Sequence, residues 1–174
     1  KIKKKNYFLL TLHRQENVDN KERLKFIMRS LDIISKKFKS PIIWPAHPRT
    51  IKNLKLFKLK VSEKVKVINP SDFFNFIKLE TNAFCVLTDS GTVQEECSIL
   101  KIPNIILRDK TERPETIESG SSIISMNNSS DIINAINFTT KNGILPNHVS
   151  GYHEINVSNK ILNIILSNYE FDNI

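Results

Sequence analysis

At 174 residues, with 40% hydrophobic and 25% charged content, the chain has the size and composition of one soluble globular domain with its own core. No apolar run approaches the roughly 18 residues of a membrane span. The net charge of +8 comes from lysines spread over helical polar faces, without a basic tail, zinc-finger spacing or aromatic–basic motif, which argues against a nucleic-acid partner.

The start, KIKKKNYFLLTLH, is basic and then apolar, but it lacks a small-residue cleavage site and runs straight into His13 and Arg14. It therefore reads as a buried strand over 5–12 and not as a signal peptide. Leu24, Ile27, Met28, Leu31, Ile34 and Phe38 then fall at helical spacing, with Asp19 or Asn20 as N-cap. Pro41 closes a turn before the strand Ile42-Ile43-Trp44, and Pro48-Arg49-Thr50 opens a shorter helix with Ile51, Leu54 and Phe57. A third strand, 65–68, precedes a helix capped by Ser71-Asp72 and running through Phe76 and Leu79. The unbroken apolar run 83–87 predicts a strand covered on both faces. A helix follows Gly91, then a strand over 104–107, a short helix after Pro114 and a strand over 122–124. Helical patterns at 129–140 and 153–168 finish the chain, with 139–153 as the expected loop.

Strands and helices that alternate through short connections predict an α/β fold, a doubly wound parallel sheet of the Rossmann-like kind, as a single domain over residues 1–174. Such sheets bind ligands outside the carboxyl ends of their strands. His13, His47, the 69–71 and 89–91 segments and the 108–113 loop each follow a strand, so they are expected to converge on one edge. Cys85 and Cys97 form neither metal spacing nor a disulfide framework. They read as two reduced core thiols of a cytoplasmic protein.

Thr88-Asp89-Ser90-Gly91-Thr92 places a hydroxyl-and-glycine turn at a helix start, where unpaired amides and the helix dipole favour a phosphate. Ser90 is equally a good N-cap. One turn on, Glu95 or Glu96 can accept from ribose hydroxyls, and periodicity does not say which. His13-Arg14-Gln15-Glu16-Asn17 puts polar groups directly after a strand, where burial is expensive without a task. His13 can contact a phosphate or donate a proton to a departing one. Arg14 can clamp a phosphate or lock Glu16. His47, between two prolines, suits a positioned side chain or a plain turn. Of Phe73, Phe74 and Phe76 most are expected in the core, with one free to stack on a base. The loop 108–115, RDKTERPE, supports either phosphate pairing by Arg113 or a solvated cluster of charge.

Taken together, TLHRQENVDN, HPRT, TDSGTVQEE and RDKTERPE resemble, in order and separation, the carboxyl-terminal half of the non-hydrolysing UDP-N-acetylglucosamine 2-epimerases. The resemblance covers essentially the whole chain. It implies one half of a GT-B type two-domain enzyme that interconverts UDP-GlcNAc and UDP-ManNAc. The chemistry implied is anti elimination of UDP to 2-acetamidoglucal and re-addition to the opposite face, with no metal or other cofactor. His13 then contacts the nucleotide sugar near the diphosphate as the catalytic histidine. Ser71 and Phe76 match positions that hold the uracil, Ser90, Gly91 and Thr92 the phosphate turn, Glu96 the ribose ligand and Arg113 a further substrate contact. Arg14 and His47 match positions that touch a second UDP-GlcNAc in allosterically regulated members.

Many relatives carry a second glycine where this chain has Thr92, a departure that fits a subgroup acting on a modified UDP-N-acetyl sugar. The family's proton-transfer carboxylates lie in the amino-terminal domain, and this sequence, as it stands, begins at Lys1. The expectation is therefore a monomeric fragment with part of the UDP site and no epimerase activity, from a full-length homodimer. The final helix would reach toward the other domain. Two readings compete with this one: the donor domain of a GT-B glycosyltransferase, and a non-catalytic nucleotide-sugar sensor.

Overall fold

A computed structural model of the chain describes residues 5–141 and 149–167. β1 (Phe8–Thr11) leads into a one-turn helix, α1 (Gln15–Val18), and then α2 (Lys21–Phe38). β2 (Ile42–Pro45), α3 (Pro48–Leu56), β3 (Val65–Ile68), α4 (Phe73–Thr81) and β4 (Cys85–Thr88) follow. The second half holds α5 (Gly91–Leu100), β5 (Asn104–Ile106), α6 (Pro114–Glu118), β6 (Ile123–Ile124), α7 (Ser129–Lys141) and α8 (Val157–Leu166). Every strand and long helix expected from periodicity is present. Of the expected 139–153 loop, Thr139 to Lys141 extend α7, and 142–148 lie outside the described residues. The one element not anticipated is α1, whose polar sequence has no apolar stripe to announce a helix.

All six strands are parallel, in the order β3-β2-β1-β4-β5-β6. This is the doubly wound Rossmann order, and it reverses between β1 and β4. Those two strands are paired from Phe8↔Cys85 to Thr11↔Thr88, so their carboxyl ends finish level with each other. Because side chains alternate along a strand, β1 feeds two cores. Phe8 and Leu10 pack with Leu24, Ile27 and Leu31 of α2 and Ile132 and Ile136 of α7. Tyr7 and Leu9 pack on the opposite face with Val86, Val93 and Cys97, joined by Phe76 and Leu79. Phe8 also meets Phe38 and Phe84 edge-on, with ring centroids 5.3 and 5.5 Å apart.

Local chemistry sets the helix ends. The Asn20 side chain caps α2 by accepting the Arg23 amide at 3.0 Å, and Asp72 caps α4 through the Asn75 amide at 2.9 Å. Pro48 occupies the first turn of α3, where its missing N–H costs nothing. Helix α8 buries none of its residues against the described parts of the chain, and its apolar side chains, among them Ile161, Leu162 and Ile165, are exposed. Among the described residues no helix is long and apolar enough to cross a membrane.

Candidate functional site

The crevice opens where the strand order reverses. Thr11 and Thr88, which end β1 and β4, place their hydroxyls 2.6 Å apart. The next residue after β4, Asp89, is fully buried. Its carboxylate accepts the His13 amide at 3.1 Å on each oxygen, the Arg14 amide at 2.9 Å and the Asn17 side-chain amide at 3.0 Å. His13 Nδ1 lies a further 3.4 Å from Asp89 Oδ1. Asn17, also fully buried, donates its other hydrogen to the Leu107 carbonyl at 2.9 Å and accepts from Arg23 Nε at 3.0 Å. A buried carboxylate needs several donors to offset its lost hydration. Here they come largely from the main chain of the segment that carries His13, so Asp89 fixes that segment against the start of α5.

A cavity of about 300 Å³ lies at this edge, and His13, His47, Ser71, Phe76 and Ser90 all line it, with Val93 and Pro45. That volume is at the lower end for small-molecule sites. The five residues come from the segments after β1, β2, β3 and β4 and from α4, as the doubly wound reading anticipates. His47 is the N-cap of α3, and its Nδ1 accepts the Arg49 amide at 3.2 Å. Ser90 is the N-cap of α5 by position, yet its hydroxyl makes no capping hydrogen bond. The first-turn amides of Gly91, Thr92 and Val93 have no partner within the helix, so this corner presents donors and a positive dipole end at the rim of the cavity.

Arg14, Gly91, Thr92, Glu96 and Arg113 do not line that cavity. Gly91 and Thr92 continue the Ser90 turn, Gly91 buried and Thr92 exposed. Arg113 pairs with Glu95, a bond that raises the guanidinium pKa. Glu96 is free of that pair, and burial, helped by the neighbouring Glu95 charge, pushes its carboxyl pKa up. Arg14 pairs with Glu112 and donates from Nε to the Asp89 carbonyl at 3.3 Å. Glu112 also pairs with Arg108, which bonds Glu16 at 2.9 Å. Burial alone would raise the Glu112 pKa, but the Arg108 hydrogen bond and the two arginine charges bring it below the usual range. A Cβ on Gly91 would lie 2.9 Å from Glu112 Oε1, so glycine is what lets this acid reach the turn.

Phe73 and Phe74 are 63% and 82% exposed, against the expectation that most of the three phenylalanines are core; only Phe76 joins one. Both cysteines are fully buried and free, as anticipated. The anchoring role of Asp89 and the bracing of Arg14 and Arg108 by Glu112 are new here, because their partners are distant amides and loops. A fully buried Glu80 was likewise unanticipated. Among the described residues no group of three His, Cys, Asp or Glu could hold a metal ion.

Strand order and crevice together define a Rossmann-like ligand-binding domain. The model of the family described as UDP-N-acetylglucosamine 2-epimerase matches residues 1–166. The curated UDP-N-acetylglucosamine 2-epimerase of Methanocaldococcus jannaschii is 53% identical over 135 residues, which are 75% of this chain and 37% of that protein. A crystal structure of the UDP-GlcNAc 2-epimerase from that organism, in complex with UDP-GlcNAc and UDP, superposes with a TM-score of 0.85 at 44% identity, covering 93% of this chain and 45% of that one. The UDP-N-acetylglucosamine 2-epimerase of Rickettsia bellii superposes with a TM-score of 0.82 at 36% identity, over 96% of this chain and 46% of that one. The chain belongs to the UDP-N-acetylglucosamine 2-epimerase family, and it spans less than half the length of these relatives.

Proposed function

We propose that the chain is the UDP-binding carboxyl-terminal domain of a cytoplasmic UDP-N-acetylglucosamine 2-epimerase. The full enzyme interconverts UDP-GlcNAc and UDP-ManNAc by eliminating UDP to 2-acetamidoglucal and adding it back to the other face. The observation that carries this reading is the convergence of His13, His47, Ser71, Phe76 and Ser90 on one cavity at the reversal of strand order. A further support is the M. jannaschii relative, whose structure is described as a complex with UDP-GlcNAc and UDP.

Uracil stacks on Phe76 beside Ser71, and the diphosphate rests on the amides of the Ser90-Gly91-Thr92 turn. Glu96 accepts from the ribose hydroxyls, and Arg113 leaves Glu95 to reach the nucleotide sugar. His13, its main chain held by Asp89, donates to the phosphate oxygen that departs when the glycosidic C–O bond breaks. Charge that builds on the departing UDP is met by fixed dipoles, which need no reorganisation during the step. Arg14 and His47 are candidates for a second UDP-GlcNAc contact. The C2 proton is handled by carboxylates of the amino-terminal domain, so the 174-residue chain binds UDP as a monomer and does not epimerise. The full-length enzyme is a homodimer joined mainly through that domain.

Titration calorimetry with UDP tests the binding, and a coupled UDP-ManNAc assay tests the activity. Saturable UDP binding without turnover is the expected pair of results. Turnover above buffer controls would overturn the division of labour between domains.

A further inference from the structure

Glu80 is fully buried on α4, yet among the described residues no cation pairs with it. Its Oε1 accepts a hydrogen bond from Cys97 Sγ at 3.2 Å, and its Oε2 has no partner among the described residues. Position explains what this contact can do. Glu80 follows Phe76 by one helical turn on α4, and Cys97 follows Val93 by one turn on α5, so each pair shares a helix face. Phe76 and Val93 line the cavity. The Glu80–Cys97 bond is thus a rung between the two helices, one turn beneath the cavity wall. Phe76 and Leu79 pack on the same apolar cluster as Val93 and Cys97, which makes the seam continuous from cavity to rung.

We propose that Glu80 is a positioning residue for the nucleotide crevice: its buried carboxyl, bonded to Cys97, holds α4 against α5 and so sets the separation between Phe76 and the Ser90 turn. The inference rests on the reading of that crevice as a UDP site. Burial pushes the Glu80 pKa up to about 8, against the pull of the Cys97 bond and with help from the Glu96 charge. Ionisation puts a charge into an apolar seam, where it demands water and separates the helices.

The groups around the seam leave this step distinct. From α5 come Cys97, whose thiol burial keeps neutral well above its ordinary range, and Glu96, whose carboxyl burial and the Glu95 charge push up. The segment before β1 contributes Tyr7, raised by burial, and Lys5, lowered by burial; β4 contributes Cys85, raised by burial. Tyr7 also ties α4 to the sheet by donating to the Leu79 carbonyl at 2.6 Å.

The test is the UDP dissociation constant from pH 7 to pH 9 for the unaltered chain and for Glu80→Gln, which keeps shape and polarity but has no proton to lose. Circular dichroism at each pH confirms that both are folded. With a midpoint of about 8 the unaltered chain loses affinity by about tenfold across this range. Glu80→Gln holds a flat profile and matches the unaltered chain at pH 7 to within about twofold. Parallel profiles, with UDP bound by both proteins, overturn the positioning role and leave the UDP reading intact. Failure of both to bind UDP at pH 7 overturns the UDP reading, and this inference with it.

Discussion

Asp89 accepts the Arg14 amide at 2.9 Å across 75 positions of sequence, and this bond joins the segment after β1 to the turn that opens α5. The same carboxylate takes the amides of His13 and Asn17, so a single buried acid orients both walls of the crevice.

Asp89→Asn removes the charge and turns an NH₂ group toward the backbone amides that the carboxylate satisfies. The loss of a buried, multiply bonded anion costs roughly 2–4 kcal/mol. Urea denaturation at pH 7 is the measurement, and a change within about 0.5 kcal/mol would place Asp89 outside the architecture of the site.

Glu80 gives stability a pH dependence of defined sign. Its folded pKa, about 8, lies above the ordinary carboxyl value in the unfolded chain. Between those two values the folded chain holds a proton that the unfolded chain has released, so stability falls as pH rises and levels off above pH 8. Glu80→Leu removes this slope. The variant is expected to melt higher than the unaltered chain by about 5 °C at pH 8, with a much smaller gap at pH 5. A gap that does not change with pH would mean that Glu80 is ionised throughout.

Glu96→Ala and Arg113→Ala are each expected to weaken UDP binding about tenfold, with little effect on melting, because the Arg113–Glu95 pair is partly exposed. On the proposed reading Glu96 serves the ribose as an anion, and its raised pKa then means that UDP affinity climbs as pH rises through the Glu96 ionisation. Calorimetry at a series of pH values reads both effects. Equal affinity in all three proteins would remove these two residues from the site.

Phe74→Ala and Phe76→Ala separate the two aromatic roles on α4. Phe74 is 82% exposed, so its loss leaves stability within about 0.5 kcal/mol and UDP affinity unchanged. Phe76 lines the cavity, and its removal is expected to weaken UDP binding by about 1–3 kcal/mol of stacking. Equal losses from both variants would contradict the placement of the base.

Most of the fold is legible in the sequence because its signals are local. Unbroken apolar runs such as 83–87, the 3.6-residue periodicity of α2 and the cap at Asn20 each point to one element. Alternation of these elements then implies a parallel sheet, and the parallel sheet implies a site at the strand tips. What stayed hidden depends on distant partners. Asp89 reads as one more turn residue until the amides of His13 and Arg14 are seen around it. Glu80 sits on a helix where a glutamate normally faces solvent, and only the packing of α4 on α5 reveals its burial. Phe73 and Phe74 mislead in the other direction, since apolar spacing cannot report that the start of α4 faces solvent.

The central claim is tested most directly by a crystal of this chain grown with UDP. The account predicts uracil against Phe76 and the diphosphate on the amides of Ser90, Gly91 and Thr92, with Glu96 on the ribose. UDP bound elsewhere, or a turn closed by packed side chains while UDP is present, would contradict it.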